Sequence, residues 1–313
     1  MIRNIISACV SILALTAVAN HAQAADVLNP AACTVAGVVQ GGGMFGSNAV
    51  KFSSSPAQDS IPFTSGFGEA AGAYFCGEWG VQIDGAAYGS WGNDPRRPAS
   101  LTSGQGHVGG DMIWRDPSHA ALGLSVSRIF QSYSAPYALG PVSDSSGMWR
   151  LGAFGEVYAS DMLTLGGGAY YLNGQTIWFG VYNQHGFEGD LFAKLYASDN
   201  LALTLRGDLM RLDIARKTPG RFSGAAVSAD AEFLVPDTAL SVFVGGRYAG
   251  RTYDEDGGFN FAVTDLQGFA GVKFALGGAA PTSLRDRDRH GTVDNTSVFQ
   301  EKLIGLESEV PFD

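Results

Sequence analysis

Between Phe187 and Asp213 the chain reads FEGDLFAKLYASDNLALTLRGDLMRLD, and its residue types alternate with a period of two. Odd positions carry Phe187, Leu191, Ala193, Leu195, Leu201, Leu203, Leu205 and Leu209, whereas even positions carry Glu188, Asp190, Lys194, Arg206 and Asp208. A helix would space its apolar residues three or four apart, so this period belongs to β-strands with one apolar and one charged face. The segment Ala197 to Asn200 has turn-forming residues and joins the two runs into a hairpin. Symmetric pairing about Ser198 sets Asp190 opposite Arg206, a favourable cross-strand pair. One such hairpin fits a soluble sheet as well as a membrane wall. Recurrence of the pattern decides between them.

It recurs along the whole chain. A first strand is expected over Thr34 to Phe45, then a polar loop, Gly46 to Ser65. Four further hairpins join Gly66–Cys76 to Trp79–Trp91, Gly106–Trp114 to Ala120–Ile129, Gly147–Tyr158 to Met162–Leu172, and Ser223–Phe233 to Ala239–Gly250. With the opening hairpin and a last strand, Thr264 to Leu276, this makes about twelve strands of roughly ten residues, the length that crosses a bilayer at a tilt. The connections CGEW, RDPSH, ASDM, ASDN and VPDT are short and rich in turn formers. Those between hairpins, such as Gly92 to Gln105 and Phe130 to Ser146, are longer.

Parity then separates the two environments. In Gly147 to Tyr158 the odd face is Trp149, Leu151, Ala153 and Val157, and the even face includes Arg150 and Glu156. Each apolar face is free of charge through its middle. Arg128 and Arg211 break the rule only at the long-loop ends of their strands, where a cation costs little and can meet lipid phosphates. Large aromatics sit at the strand ends: Tyr74, Trp79, Trp114 and Phe233 near the short turns, and Trp91, Trp149, Tyr171 and Phe187 near the long loops. Two aromatic belts suit the two interfaces of a bilayer. A secreted β-sandwich or soluble barrel gives no reason for them.

The chain start agrees. Arg3, the apolar run Ile5 to Val18 and the small-residue site Ala22-Gln23-Ala24 form a secretory signal peptide over residues 1–24, too short to span a bilayer. Beyond it no apolar run is long enough for a spanning helix. The net charge of −10 excludes nucleic acid as an expected partner. After the signal only Cys33 and Cys76 remain, an even pair in an oxidising compartment, with no spacing that suggests a metal or cofactor site. They fall at the short-turn ends of neighbouring strands and are expected to form a disulfide.

On these features the chain resembles the bacterial outer-membrane β-barrel proteins, porin-like in character, over Thr34 to Leu276. The resemblance implies an all-β antiparallel transmembrane barrel over residues 25–276, short turns in the periplasm, long loops outside, and contact with outer-membrane lipid and lipopolysaccharide. Gly271, Phe274 and Leu276 match the spacing of such proteins' final-strand assembly signal, although Phe269 stands where a polar residue is usual and the chain runs on to Asp313.

With the apolar face toward lipid, the inner face holds Glu69, Asp84, Asp111, Glu156, Glu188, Asp190, Asp208, Asp230, Glu232 and Asp265 against Arg150, Lys194, Arg206, Arg247 and Lys273. Of these, Asp84, Asp111, Arg150, Glu156, Glu188, Asp190, Lys194, Arg206, Asp208, Asp230, Glu232, Arg247 and Lys273 are the expected pore lining. An excess of carboxylates lowers the entry cost for positive solutes, which points to a narrow passive channel for small polar or cationic solutes. About twelve strands enclose a space between the filled and the open barrel sizes, so a closed structural barrel is the alternative. A lipid-modifying enzyme would need a nucleophile or activated water beside a histidine. Only His107, with Asp111 on its face, and His185, beside Asn183, qualify by position, and no serine motif accompanies either. The glycine runs Gly41–Gly43 and Gly166–Gly168 lack the features of phosphate loops and read as sites of close strand approach.

Residues 277–313 form a polar tail expected in the periplasm, with a possible partner there. Asp286, Asp288, His290, Gly291 and Asp294 mimic the start of a calcium loop, but Ser297 stands where a bidentate acid belongs. Ser297 and Gln300 could cap a short helix carrying Phe299, Leu303 and Leu306.

Overall fold

The structure, a computed structural model, describes residues 33–52, 58–93, 100–137, 140–177, 181–215, 219–256, 258, 260–277 and 281–294. The expected signal peptide and the Ser297–Gln300 helix lie outside these residues.

The strands are β1 (Thr34–Phe52), β2 (Gln58–Cys76), β3 (Trp79–Asn93), β4 (Ser100–Asp116), β5 (Ala120–Tyr137), β6 (Gly140–Ser160), β7 (Leu163–Ile177), β8 (Val181–Ser198), β9 (Leu201–Ala215), β10 (Gly220–Leu234), β11 (Leu240–Glu255) and β12 (Asn260–Leu276). Each pairs antiparallel with its sequence neighbours, and β1 pairs with β12, so the sheet closes into a barrel without an edge. Closure satisfies every strand's backbone groups within the wall, which a bilayer interior requires.

Strands run from 15 to 21 residues, longer than the sequence suggests. The difference lies at the long-loop end. The expected loop over 46–65 is mostly strand, because β1 continues to Phe52 and β2 begins at Gln58. Pairing propagates along a ladder once its register is set, so polar residues continue it past the apolar belt where composition alone reads as loop.

At the other end the turns are tight. Gly77 takes a left-handed conformation (φ 64°) between β2 and β3, and Asp237 does so (φ 61°) between β10 and β11. Between β4 and β5, the Asp116 carboxylate accepts from the Ser118 backbone N–H at 2.9 Å. Cys33, just before β1, and Cys76, at the end of β2, are joined by a disulfide at this rim. Alkylation of the non-reduced protein is therefore expected to leave both unlabelled, with mass analysis reading two modifications only after reduction.

Parity is kept around the barrel. Leu191, Leu205, Leu209, Val244 and Leu266 point outward and are exposed, Leu191 to 75%. Their inward neighbours Asp190, Arg206, Asp208 and Asp265 are buried. Trp79 and Tyr74 lie exposed near the short turns, and Trp91, Trp149, Tyr171 and Phe187 near the other end. An apolar exterior around a polar interior reverses the soluble arrangement, and such an exterior is a transmembrane surface. Two glycines show why the wall needs them. A side chain at Gly42 would collide with the β12 backbone at Ala270 and Gly271, and one at Gly167 with the β8 backbone at Asp190.

One register differs from expectation. Asp190 faces Asp208, and Arg206 faces Phe192, because an irregularity between Tyr196 and Ser198 lets the chain turn over 199–200 rather than about Ser198. Arg206 lies over the Phe192 ring, 5.2 Å from its centroid, instead of opposite Asp190.

Candidate functional site: the barrel lumen and its tail

Inward residues build three levels. At the long-loop end they are apolar: Ile129, Met148, Leu172, Met210, Leu212, Ile214, Phe222, Ala249, Tyr253, Phe261 and Val263 form one buried cluster drawn from strands β5 to β7 and β9 to β12. Ile129, Leu172, Ala249, Tyr253 and Val263 have no solvent exposure. Within this layer Arg251 Nη2 pairs with Asp265 Oδ2 at 2.9 Å, both side chains fully buried. This packed apolar layer differs from the charged lining expected of the inner face. Its signal was present, since the even face of β9 changes from Arg206 and Asp208 to Met210, Leu212 and Ile214.

The middle level holds the charges. All the expected lining residues face inward, but they divide into two groups. Asp84, Glu156, Lys194, Arg206, Asp230, Glu232 and Lys273 line a cavity of about 540 Å³ that reaches the short-turn rim, where tail residues Arg287, Asp288 and Val293 also wall it. Asp111, Arg150, Glu188, Asp190, Asp208 and Arg247 lie outside that lining and are buried. There Arg150 Nε lies 3.3 Å from Glu188 Oε2 and its guanidinium stacks 3.2 Å from the Tyr170 ring centre, while Gln82 donates to Asp111 at 3.1 Å. Such contacts satisfy buried charge and fix rotamers. His107 and Asp111 are both buried, and His107 Nε2 lies 2.6 Å from Asp84 Oδ2. His185 is exposed and does not join it.

The third level is the short-turn mouth, and it is occupied by the chain's own tail. Helix α1 (Leu284–His290) begins at Ser283, whose hydroxyl accepts from the Asp286 backbone N–H at 3.0 Å. The Leu284 N–H donates to Asp199 O at 2.8 Å, and its side chain packs with Tyr196, Ala202 and Leu234. Across the mouth, Arg289 donates to Ser160 O and Arg115 to Gly291 O, at 2.5 and 2.6 Å. Val293 then exchanges two hydrogen bonds with the Gln82 side chain, at 2.8 and 2.9 Å, and Arg206 reaches Asp294 at 3.2 Å. The expected periplasmic tail thus enters the barrel over its described part.

Glu232 is the electrostatic centre of this mouth. It accepts from Arg287 (Nη2 to Oε2 3.0 Å) and Ser241, with Lys273 at 3.4 Å and Lys194 at 3.6 Å. Asp288 in turn pairs with Lys194 at 2.5 Å and accepts from Tyr196 at 3.2 Å. Burial alone would raise the Asp288 carboxyl, but Arg287 and Lys194 outweigh it and hold it below its ordinary value of 3.8. A depressed carboxylate stabilises the seated tail above that value and ceases to do so only as pH falls through the lower, seated one. The tail's hold through Asp288 is therefore constant across neutral pH. These carboxylates are engaged by cations, and among the described residues no group of three acid, histidine or cysteine side chains converges as a metal site.

No family model matches the chain, and no curated protein matches it. Solved structures with a similar trace include the translocator domain of the autotransporter NalP from Neisseria meningitidis, 13% identical over 87% of this chain and 97% of that one, TM-score 0.47. The COG4313 outer membrane channel from Pseudomonas putida F1 is 11% identical over 80% and 100%, TM-score 0.48. The Pseudomonas putida toluene transporter TodX is 10% identical over 81% and 93%, TM-score 0.42. At this distance none bears on what the lumen carries.

Proposed function

We propose that this chain is an outer-membrane barrel that forms a narrow passive channel for small polar or cationic solutes. The observation that supports this is a contrast inside one lumen. Filling a barrel needs little charge, and its long-loop layer is packed with apolar side chains around one ion pair, Arg251 with Asp265. Toward the short-turn mouth the lumen keeps charged side chains around a cavity of about 540 Å³, although burying charge rarely adds stability over an apolar core. A hydrated path gives those charges a use. Carboxylates outnumber cations on the cavity wall, which favours positive solutes.

In this reading the apolar layer is a constriction that excludes water until its side chains part. On the outer surface, exposed Arg211, paired in register with Phe187, and Arg128, 5.2 Å from the Trp149 ring centre, would face lipid and lipopolysaccharide phosphates. The second reading is a closed structural barrel, favoured by the same packed layer.

Planar-bilayer recording separates the two. The channel reading expects small, intermittent, cation-selective openings, with a reversal potential displaced toward that of the cation in a salt gradient. Silence at every voltage would leave the closed barrel.

A further inference from the structure

We infer that the tail segment 281–294 is an intramolecular gate, seated in the short-turn mouth when the channel is shut and withdrawn from it when the channel opens. The inference rests on the channel reading and concerns its regulation.

Three features of the seat carry it. First, the described tail spans the mouth by contacts to strands on well-separated parts of the barrel: Arg287 to Glu232 on β10, Arg289 to Ser160 at the end of β6, and Val293 to Gln82 on β3. A segment held so lies across the path rather than along the wall. Second, the wall does not need the tail to remain charge-compensated. Without Arg287, Glu232 still has Lys194 and Lys273 beside it; without Asp288, Lys194 still has Glu232. Departure therefore strands no buried ion at this hub, a cost that would otherwise make the seat permanent.

Third, the apolar hold is small. Leu284 and Val293 are the buried apolar side chains of the described tail, and Val293 borders the cavity. A helix of seven residues has little stability by itself in water, so α1 forms as it docks and unwinds as it leaves. Seating and closing are then one transition between two discrete states.

The test uses the full-length chain carrying Leu284→Ala with Arg287→Ala, recorded in planar bilayers beside the parent. Heat-modifiable gel mobility checks that the barrel has folded. Arg287→Ala alone, which keeps the apolar anchor, serves as a milder second variant. A thiol introduced as Val293→Cys in both backgrounds reports the seat by maleimide labelling. The expected result is an open probability about tenfold higher in the double variant, the equivalent of about 1.4 kcal/mol lost from the seat. The single variant should fall between, and the Val293→Cys thiol should react faster in step with conductance. Equal conductance in parent and variants would overturn the gate and leave the channel standing. Faster labelling without added conductance would also overturn it, because the tail would move without controlling the path. Silence in every variant would remove the channel reading and the gate with it.

Discussion

Leu205→Arg should destabilise the folded barrel in a bilayer by about 2–4 kcal/mol, the cost of an outward cation near the membrane midplane. Leu205 is 56% exposed on β9, between Phe233 at one aromatic belt and Phe187 at the other. The matched control is Trp91→Arg, also outward but at the long-loop belt, where the same charge should cost about 1 kcal/mol or less. Reversible folding into lipid vesicles across a urea series gives both values. Equal costs at the two depths would sink the transmembrane placement of the exterior, since only a bilayer makes the penalty depend on height.

Asp265→Ala should cost about 3–5 kcal/mol, for a reason internal to the lumen. It leaves the Arg251 guanidinium without its 2.9 Å carboxylate in an apolar layer where both side chains are fully buried. Gln267, which donates to the same oxygen at 2.6 Å, loses an acceptor as well. Replacing the pair together, Arg251→Met with Asp265→Leu, should return stability to within about 1 kcal/mol of the parent or above it, because apolar groups of similar volume suit that layer. Denaturant midpoints of the three variants decide the matter. A double variant as unstable as Asp265→Ala would show that the layer is wet rather than packed.

Much of the wall was legible because its signal is local. Alternation in β9 assigns Leu205 to one face and Arg206 to the other whatever the partner strand, and repetition of that parity turns the apolar face toward lipid. The short turns announced themselves through Gly77 and Asp237, residues whose types suit left-handed backbone. Cys33 and Cys76 could be placed at one rim from strand direction alone. Less legible were register and length. Asp190 was expected opposite Arg206, but an irregularity beside Ser198 moved it opposite Asp208. No pattern of period two can reveal such a shift when the residue types on both faces stay the same.

The candidate site was legible as a set but not as an arrangement. Parity brought Asp84, Glu156, Asp230 and Glu232 to the inside; which of them meet the cavity depends on height and on what else fills the space. Met210, Leu212 and Ile214 share a face with Arg206 and Asp208, so parity by itself does not separate the apolar level from the charged one. The tail was hidden for another reason. Arg287 and Asp288 look like solvated charges in a polar segment, and their partners Glu232 and Lys194 are far away in sequence.

The sequence by itself determined the strand period, the turn chemistry, the outward apolar face and the inward charges, because each follows from the alternation of side chains along a single extended chain. Only the tertiary structure decided that the lumen is apolar and packed at one end, filled with buried charges below that layer, and at the other end encloses a cavity between the wall and the tail. Those outcomes depend on how closure brings distant side chains to the same height within a fixed volume, and that is a property of the whole barrel.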